Sequence, residues 1–417
     1  MSYRDFDEFL MRLEQDDHVE FVDGSSRDPV ASRPGPMPVA VHVDPESGAR
    51  IVRHAFATRR RAAWALQVDR TAEVVARLDR LLDLSTPHTF SSLMERAADI
   101  MSSLRIVPSV RRRSNSDLRI VDIDAFQRIV DTTDKPLAGT VFPARDDRPY
   151  WGVHVTSVNA ANAVLIHSAS RLNAGERVAV ALGGDPAALI AAFLPLPSSV
   201  HRSYFTGWLR KRPVETMRLS DPAVEFPANV DGVLVGVIER VTADREGCES
   251  PERPRYAAVL VLDEVRLKPN PVFVSLSAAD VAVLRDMMAA LSLPLIRLAV
   301  PEMRAVCVHG GVARIEVDGD DGAALRSAYT FLASPFTDDV RWIVTCSVSK
   351  DAAGRSMLPD VSVVQRKAIV AHPDHGTEVA VFVEGQRTLE STDSAAWVAD
   401  YEMAVSAWRD AGDRMED

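Results

Sequence analysis

Five short runs of β-forming residues limit the folds open to this chain more than any other feature. They are WGVHVTSV at 151–158, RVAVAL at 177–182, DGVLVGVIERV at 231–241, YAAVLVLDEV at 256–265 and PVFVSL at 271–276. Runs of this length that are rich in valine and bounded by Gly, Pro and Asp are typical of strands. Helical patterns lie on both sides of this region, the first with Phe6, Phe9, Leu10 and Leu13 at i, i+3, i+4 and i+7. The pattern predicts an α/β or α+β fold with a β-rich middle.

Size and charge exclude several classes of protein. At 417 residues the chain is too long for one small core, so we expect two or three packed units. Its 48 basic and 59 acidic side chains leave a formal net charge of -11, which disfavours a nucleic-acid partner. The basic runs TRRRA at 58–62, VRRRS at 110–114 and LRKRP at 209–213 are short, and we interpret them as solvated faces.

The cysteines and the hydropathy pattern predict a cytoplasmic protein that does not cross a membrane. Cys248, Cys307 and Cys346 lie far apart and show no CxxC spacing, which suits a reducing compartment. The opening MSYRDFDEFL lacks the basic start and apolar core of a secretory signal. The sequence contains no stretch of about 18 uncharged apolar residues that would cross a bilayer.

Two local patterns in the second half of the chain indicate helices. Ser277 and Asp280 have the spacing of a capping box, with Asp in place of the usual Glu. Near the other end, Trp397, Tyr401, Val405 and Trp408 follow at near-helical spacing. That aromatic stripe has two interpretations, the core-facing side of a helix or a face that is buried on a partner subunit.

The stretch RVAVALGGDPAALIAAF has the chemistry of a strand-to-helix junction. Gly183 and Gly184 permit a tight turn with positive φ, Asp185 suits an N-cap, and Pro186 fits the first helical position. The stretch lacks the third glycine of GxGxxG and the Lys-Ser/Thr of a P-loop. An aspartate at the start of a helix would also repel a phosphate placed there.

In its context the same stretch resembles the UbiD-type decarboxylases. VAVALGGDPAALIAAFLPLP and the following RPVETMRLSDPAVEFPANVDGVLVG are similar to that family's PVAVALGGDPA, EPVE, DLEVPA and VLEG at matching separations. YRDFDEFLMRLEQDDHVEFV resembles the family's opening helix and strand, and HAFATRRRAAWALQVD resembles its NLFGSRERMALALGVD segment. The similarity covers most of the chain, and residues 177–236 are its most specific part.

The resemblance implies an α/β part at 1–104, a central split β-barrel at 105–276, a linker helix at 277–292 and a C-terminal α/β oligomerisation domain at 293–417, through which we expect a homodimer. It also implies reversible non-oxidative decarboxylation of an aromatic or α,β-unsaturated carboxylic acid on prenylated FMN. In the family a Glu–Arg–Glu/Asp network handles protons. A divalent metal held by Asn, His and Glu anchors the flavin phosphate.

The sequence departs from the family at its cofactor and catalytic motifs. Between Tyr150 and Gly183 the chain is much shorter than in the family, and it lacks the Asn-Val-Gly and Tyr-Arg of that segment. His154 and His167 lie there outside the motif, where a structural role suits a strand histidine better. Ser220 stands where the metal-binding Glu is expected, and a hydroxyl is a poor substitute for a carboxylate. These departures predict that the divalent metal site is absent, and they leave two alternatives for the prenylated FMN, retention or loss.

Two positions retain a family role. Glu246 in REGCESPERPRY corresponds to the family's EGPFGE motif and is the candidate catalytic residue. Glu249 and Glu252 have two interpretations, a substitute for the motif's second acid or, as we favour, exposed loop carboxylates. Arg341 occupies the position of a phosphate-binding lysine and is the candidate cofactor contact, because it keeps a positive charge there.

These observations leave two hypotheses. The chain is a decarboxylase of specialised metabolism with a rebuilt site for a carboxylic acid, or it is a repurposed fold without flavin or metal. In the second case it is a cofactor-free enzyme, or a non-catalytic partner subunit that binds a hydrophobic small molecule.

Overall fold

The computed structural model of this chain describes almost all residues of the central sheet. The described residues are 3–15, 19–22, 38–82, 109–110, 117–132, 136–144, 151–158, 160–168, 172–193, 202–219, 223–243, 256–298, 300–309, 312–318, 323, 326–327, 330–331, 342–347, 349–350, 356–357, 366–370, 380–383 and 386–388.

Seven helices of the described chain are used below. They are α1 (Phe6–Gln15), α2 (Arg59–Ala65), α3 (Thr71–Leu82), α4 (Ile123–Thr132), α5 (Pro186–Phe193), α6 (Arg202–Arg210) and α7 (Ala278–Arg297). None of the helices in these ranges is both long and apolar enough to cross a bilayer.

The strands fall into two groups along the chain. The first fourteen are β1 (Val19–Val22), β2 (Val39–Val43), β3 (Arg50–Arg53), β4 (Ser109–Val110), β5 (Arg119–Val121), β6 (Leu137–Pro143), β7 (Trp151–Ser157), β8 (Ala163–Ser168), β9 (Arg177–Leu182), β10 (Glu215–Arg218), β11 (Glu225–Pro227), β12 (Gly232–Ala243), β13 (Tyr256–Leu267) and β14 (Val272–Ser275). The remainder are β15 (Met303–His309), β16 (Val312–Val317), β17 (Trp342–Ser347), β18 (Ser349–Lys350), β19 (Ser356–Met357), β20 (Arg366–Val370), β21 (Ala380–Val383) and β22 (Gln386–Thr388).

A closed six-stranded barrel is the centre of the fold. Its strands pair in the order β6, β7, β8, β13, β12 and β9, and β9 pairs again with β6 to close the ring. All six neighbouring pairs are antiparallel. β14 joins the barrel through β6 and extends it into a sheet with β3, β2 and β1. The structure confirms the predicted mixed α/β fold with a barrel in its middle.

Alternating side chains of the barrel strands form the main core. Val153 and Val155 of β7, and Val164 and Ile166 of β8, are fully buried in it. Between these apolar positions lie residues that face the other side of the barrel wall, since successive side chains of a strand point to opposite faces. A second cluster on that outer side includes Phe142 and Ala179.

The chain divides into two compact units. One contains residues 1–70 and 85–281, and the other contains residues 71–84 and 282–417. In the second unit the described strands β15, β16, β17, β20, β21 and β22 form one sheet. The four-part division predicted from the sequence is finer than these two units and stays a prediction.

Several local predictions are confirmed. Phe6, Phe9, Leu10 and Leu13 of α1 are buried together on one face. A short turn at 268–271 joins β13 to β14. These strands do not pair with each other, because β13 lies between β8 and β12 whereas β14 pairs with β3 and β6.

Candidate functional site

The GGDP turn connects barrel strand β9 to helix α5, and its backbone requires glycine. Gly183 and Gly184 have φ values of 66° and 90°, in the left-handed region that side chains disfavour. A Cβ atom added to Gly183 would lie 2.3 Å from the carbonyl oxygen of Val272. Gly183 is therefore constrained twice, by its positive φ and by this close approach. A residue that tolerates positive φ, but carries a Cβ atom, would still not fit at this position.

Asp185 caps α5 and forms a buried ion pair. Its Oδ1 accepts a hydrogen bond from the Ala187 N–H at 2.9 Å, as predicted for an N-cap. Its Oδ2 lies 2.6 Å from Nη1 of Arg210 on α6, and this contact is an ion pair without the alignment of a hydrogen bond. Burial raises the pKa of Asp185, and the Arg210 guanidinium and the Ala187 N–H oppose that effect.

Asp231 approaches the turn from the strand beside it. Its Oδ2 accepts a hydrogen bond from the Gly184 N–H at 2.7 Å, and its Oδ1 lies 3.6 Å from Nζ of Lys268. Lys268 also donates to the Asn229 carbonyl at 3.1 Å. Burial raises the pKa of Asp231 to about 6, because at 3.6 Å Lys268 compensates only in part for the lost solvation.

The resulting electrostatics disfavour a phosphate at this junction. Asp185 already accepts from the first turn of α5, and Asp231 accepts from the Gly184 N–H. Arg210 is engaged with Asp185, and it also donates to the Tyr3 carbonyl at 3.3 Å. The turn therefore holds two carboxylates in the place where a phosphate-binding loop presents free N–H groups.

A second buried polar cluster lies where the parallel strands β3 and β14 end. Asp280 accepts from the Phe56 N–H and the Ser277 N–H, each at 2.7 Å, and from the Ser277 hydroxyl at 2.6 Å. The predicted capping box of α7 is thus present. His54 has a positive φ of 60°, and its Nδ1 lies 2.9 Å from the Ser277 hydroxyl. Burial lowers the pKa of Arg61, which donates to the His54 carbonyl, to about 10.

His154 and His167 are direct cross-strand neighbours on β7 and β8. Both are buried on the side of the wall opposite the barrel core. His167 Nε2 lies 3.1 Å from the Thr156 hydroxyl, and the His154 ring packs 5.2 Å from that of Phe193. These contacts agree with the structural role that the sequence favoured for both histidines.

Both predicted site residues, Glu246 and Arg341, lie outside the described residues, as does Ser220. The structure instead brings together Asp185, Arg210, Asp231 and Lys268, of which only Asp185 was singled out from the sequence. The interpretation of two basic runs as solvated faces is wrong in part, because Arg61 and Arg210 are buried. The sequence around Asp231 does not indicate that this residue lies beside the GGDP turn. The pairing of Gly232 with Leu182 on the neighbouring strand places it there.

A comparison with protein families decides what kind of barrel this is. Residues 147–278 match the family described as "UbiD: 3-octaprenyl-4-hydroxybenzoate carboxy-lyase Rift-related domain". This part of the chain is a UbiD-type domain. The matched residues contain five of the six barrel strands together with the GGDP turn.

Solved structures of other proteins share the fold of this chain. Vanillic acid decarboxylase of Sedimentibacter hydroxybenzoicus, in its open form, superposes with a TM-score of 0.65 at 18% identity over 97% of this chain and 99% of its own. An evolved dimeric form of the UbiD-class enzyme HmfF from Pelotomaculum thermopropionicum, in complex with prFMN, gives 0.61 at 16% identity, covering 84% and 87% of the two chains. At these identities the likeness establishes the fold.

A curated relative is similar in sequence over part of its length. It is an uncharacterized protein of Archaeoglobus fulgidus, 23% identical over 288 residues. The alignment covers 61% of this chain and 58% of that relative.

The described residues allow a test of whether a flavin phosphate and its metal fit this chain. The GGDP junction does not suit the phosphate, since its donors are taken by Asp185 and Asp231. Within the described ranges, no three His, Cys, Asp or Glu side chains come together as metal ligands. We therefore assign no step of a reaction to a bound cofactor, and the loss of flavin and metal stays a prediction.

Proposed function

We propose that this protein is a UbiD-type decarboxylase that acts on an aromatic or α,β-unsaturated carboxylic acid in specialised metabolism. The observation that supports the proposal most is that the matched UbiD domain at 147–278 contains five of the six strands of the closed barrel. The net reaction replaces the carboxylate by a proton and releases CO2. Prenylated FMN, if bound, supplies the electron sink for that step, and the protein supplies position and protons.

Residue roles in this proposal follow the family resemblance. Glu246 is the candidate to hold or deliver the proton that replaces the carboxylate, and Arg341 is the candidate to hold the anionic end of the cofactor. A cytoplasmic location and a homodimer formed through the C-terminal domain belong to the same proposal. Among the comparison structures, an evolved form of HmfF is described as dimeric.

Co-production with a flavin prenyltransferase tests whether the cofactor is part of the function. The purified protein is examined by absorbance and by mass analysis of the released ligand. We expect a flavin absorbance band and the mass of prenylated FMN. A flavin-free spectrum after co-production would contradict this proposal.

The second candidate function is a repurposed UbiD fold that binds a hydrophobic small molecule without flavin or metal. One observation favours it. The shortened segment after Tyr150, which lacks the family's Asn-Val-Gly and Tyr-Arg motifs, contains the paired strands β7 and β8 instead. This candidate predicts no bound flavin in the same experiment, and it predicts that thermal stability rises with added ligand instead.

A further inference from the structure

Helix α4 and the hairpin of β7 and β8 enclose a cavity of about 280 Å³ at one end of the barrel. Val130 of α4 and Val164 of β8 line its inner side, and both belong to the barrel core. Ser157 and Ala161 also line it and are exposed, so the cavity is open to solvent beside the hairpin turn. None of its lining residues belongs to the GGDP junction, so this cavity is a separate candidate site.

The polar side chains that line the cavity supply oxygen acceptors. Gln127 donates through Nε2 to the carbonyl groups of Ala163 at 2.9 Å and Ala160 at 3.2 Å, so the remaining polar atom of its amide is the acceptor Oε1. Ser157 adds a hydroxyl oxygen, and Asp131 adds a carboxylate. Three acceptors of this kind suit a primary ammonium group, which has three N–H donors and no acceptor.

Asp131 gives the cavity a negative charge in a place where a helix already favours cations. It lies in the last turn of α4, whose final carbonyl groups form the negative end of the helix dipole. Arg128, the one basic residue of α4, pairs with Glu46 at 3.7 Å. Among the residues that the structure describes, Asp131 has no ion-pair partner and no basic side chain lines the cavity. A ligand with a positive charge is therefore favoured.

We propose that this cavity binds a small primary ammonium compound with an apolar tail. The ammonium group is held by Asp131, Ser157 and Gln127, and the tail packs against Val130 and Val164. At about 30 Å³ for each water-sized group, the cavity holds roughly nine non-hydrogen atoms, many more than a single metal ion. In the described part of the chain no three His, Cys, Asp or Glu side chains come together to bind a metal. The inference does not depend on the proposed reaction.

Calorimetric titration of the full chain tests the charge of the ligand. The probe is phenethylammonium chloride at low ionic strength, and phenethyl alcohol is the uncharged control of the same shape. We expect millimolar binding of the cation and at least tenfold weaker binding of the alcohol, because only the cation pairs with Asp131. No binding of the cation, or equal binding of both probes, would overturn the proposal.

Two aspartates of α4 provide a matched pair of variants. Asp131→Asn keeps the shape of the side chain but removes its charge, so the dissociation constant of phenethylammonium should rise at least fivefold. Asp124→Asn makes the same change in the first turn of α4, outside the cavity, and should bind the cation as the wild type does. The melting temperature of Asp131→Asn should stay the same or rise, since a negative charge leaves the negative end of the helix. Equal affinities of the two variants would contradict the site.

Ala161→Trp tests the location of the site by filling the cavity. Ala161 is exposed in the hairpin turn, so the melting temperature should stay close to that of the wild type while binding of phenethylammonium is lost. Unchanged affinity in a folded Ala161→Trp protein would place the bound cation elsewhere and refute the proposal. If this variant does not fold, the comparison of Asp131→Asn with Asp124→Asn decides.

Discussion

Asp231 is the described residue whose ionisation bears most directly on the GGDP turn. Its carboxylate is 3% exposed and is bonded to the Gly184 N–H, while Lys268 stands at 3.6 Å. Since burial raises the pKa of Asp231 to about 6, the folded protein holds this proton more tightly than the unfolded chain does. The residue therefore favours folding below pH 4, and that contribution is lost as the pH rises to about 6.

This linkage predicts how Asp231→Asn changes the pH profile of stability. Asparagine keeps the acceptor for Gly184 but does not ionise. Between pH 4 and pH 7 the free energy of unfolding of the wild type should fall by about 2 kcal/mol relative to that of the variant. Urea unfolding at a series of pH values measures both curves. Parallel curves would show that Asp231 has an ordinary pKa and is better solvated than the structure indicates.

Gly183 offers a test of the steric claim at the same turn. Gly183→Ala combines a positive φ with a Cβ placed 2.3 Å from the Val272 carbonyl oxygen, so we expect a loss of at least about 3 kcal/mol in unfolding free energy. Gly175→Ala is the matched control, because Gly175 has φ 80° but no atom within 4 Å of the added Cβ. Gly175→Ala should lower the free energy of unfolding by only about 1 kcal/mol, which is the cost of placing alanine at a positive φ without a steric clash. Equal losses in chemical denaturation would refute the close approach to Val272.

Arg341 provides a residue-level test of cofactor binding. If it holds the anionic end of the flavin, Arg341→Ala should weaken FMN binding by about 1–3 kcal/mol, while Arg341→Lys should lose less because it keeps the charge. Fluorescence titration with FMN measures both affinities. An alanine variant that binds as tightly as the wild type would remove Arg341 from the cofactor site.

At the scale of elements, helix α5 packs against strand β7 at Gly152, which has no side chain and so leaves room for the Phe193 ring. A Cβ added to Gly152 would lie 2.5 Å from the ring of Phe193 at the end of α5. Gly152→Ala should therefore push α5 away from the barrel wall and lower the melting temperature. Phe193→Leu in the same chain should recover part of the loss. If Phe193→Leu lowers the melting temperature further instead of restoring part of it, Gly152 and Phe193 are not in contact.

Elements with local chemistry could be predicted from the sequence, and elements defined by distant pairing could not. The α1 stripe, the N-cap at Asp185 and the capping box of Ser277 and Asp280 each depend on neighbouring residues, and each is present. β6 was missed, although it closes the barrel, because LAGTVFP has no clear alternation. Its identity as a strand comes from pairing with β7, β9 and β14.

The same limit applies to the candidate site. Gly183 and Gly184 were predictable because positive φ is a property of the residue itself. Arg210 and Asp231 were not, because their partners lie 25 and 47 residues away in the sequence. A basic run such as LRKRP gives no indication that its first arginine is buried while the next two cations are exposed.

At the scale of the whole molecule, the order of motifs in the sequence predicted the UbiD-type domain and the fold, but it did not determine the reaction. The block at 177–236 combines a strand, a glycine turn and a following strand pair that occur together in the UbiD barrel. The chemistry depends on side chains that vary within one fold, so a shared barrel leaves the substrate and the cofactor open. These two properties remain the proposals to be tested.

Exchange of labelled bicarbonate into a carboxylic acid tests the central claim most directly, since a reversible decarboxylase returns CO2 to its product. Protein co-produced with a flavin prenyltransferase is incubated with 13C-bicarbonate and a panel of hydroxybenzoic and cinnamic acids. We predict that 13C enters the carboxylate of at least one acid, and that protein made without the prenyltransferase gives no exchange. Prenylated FMN bound to the protein with no exchange in any acid of either class would contradict the account.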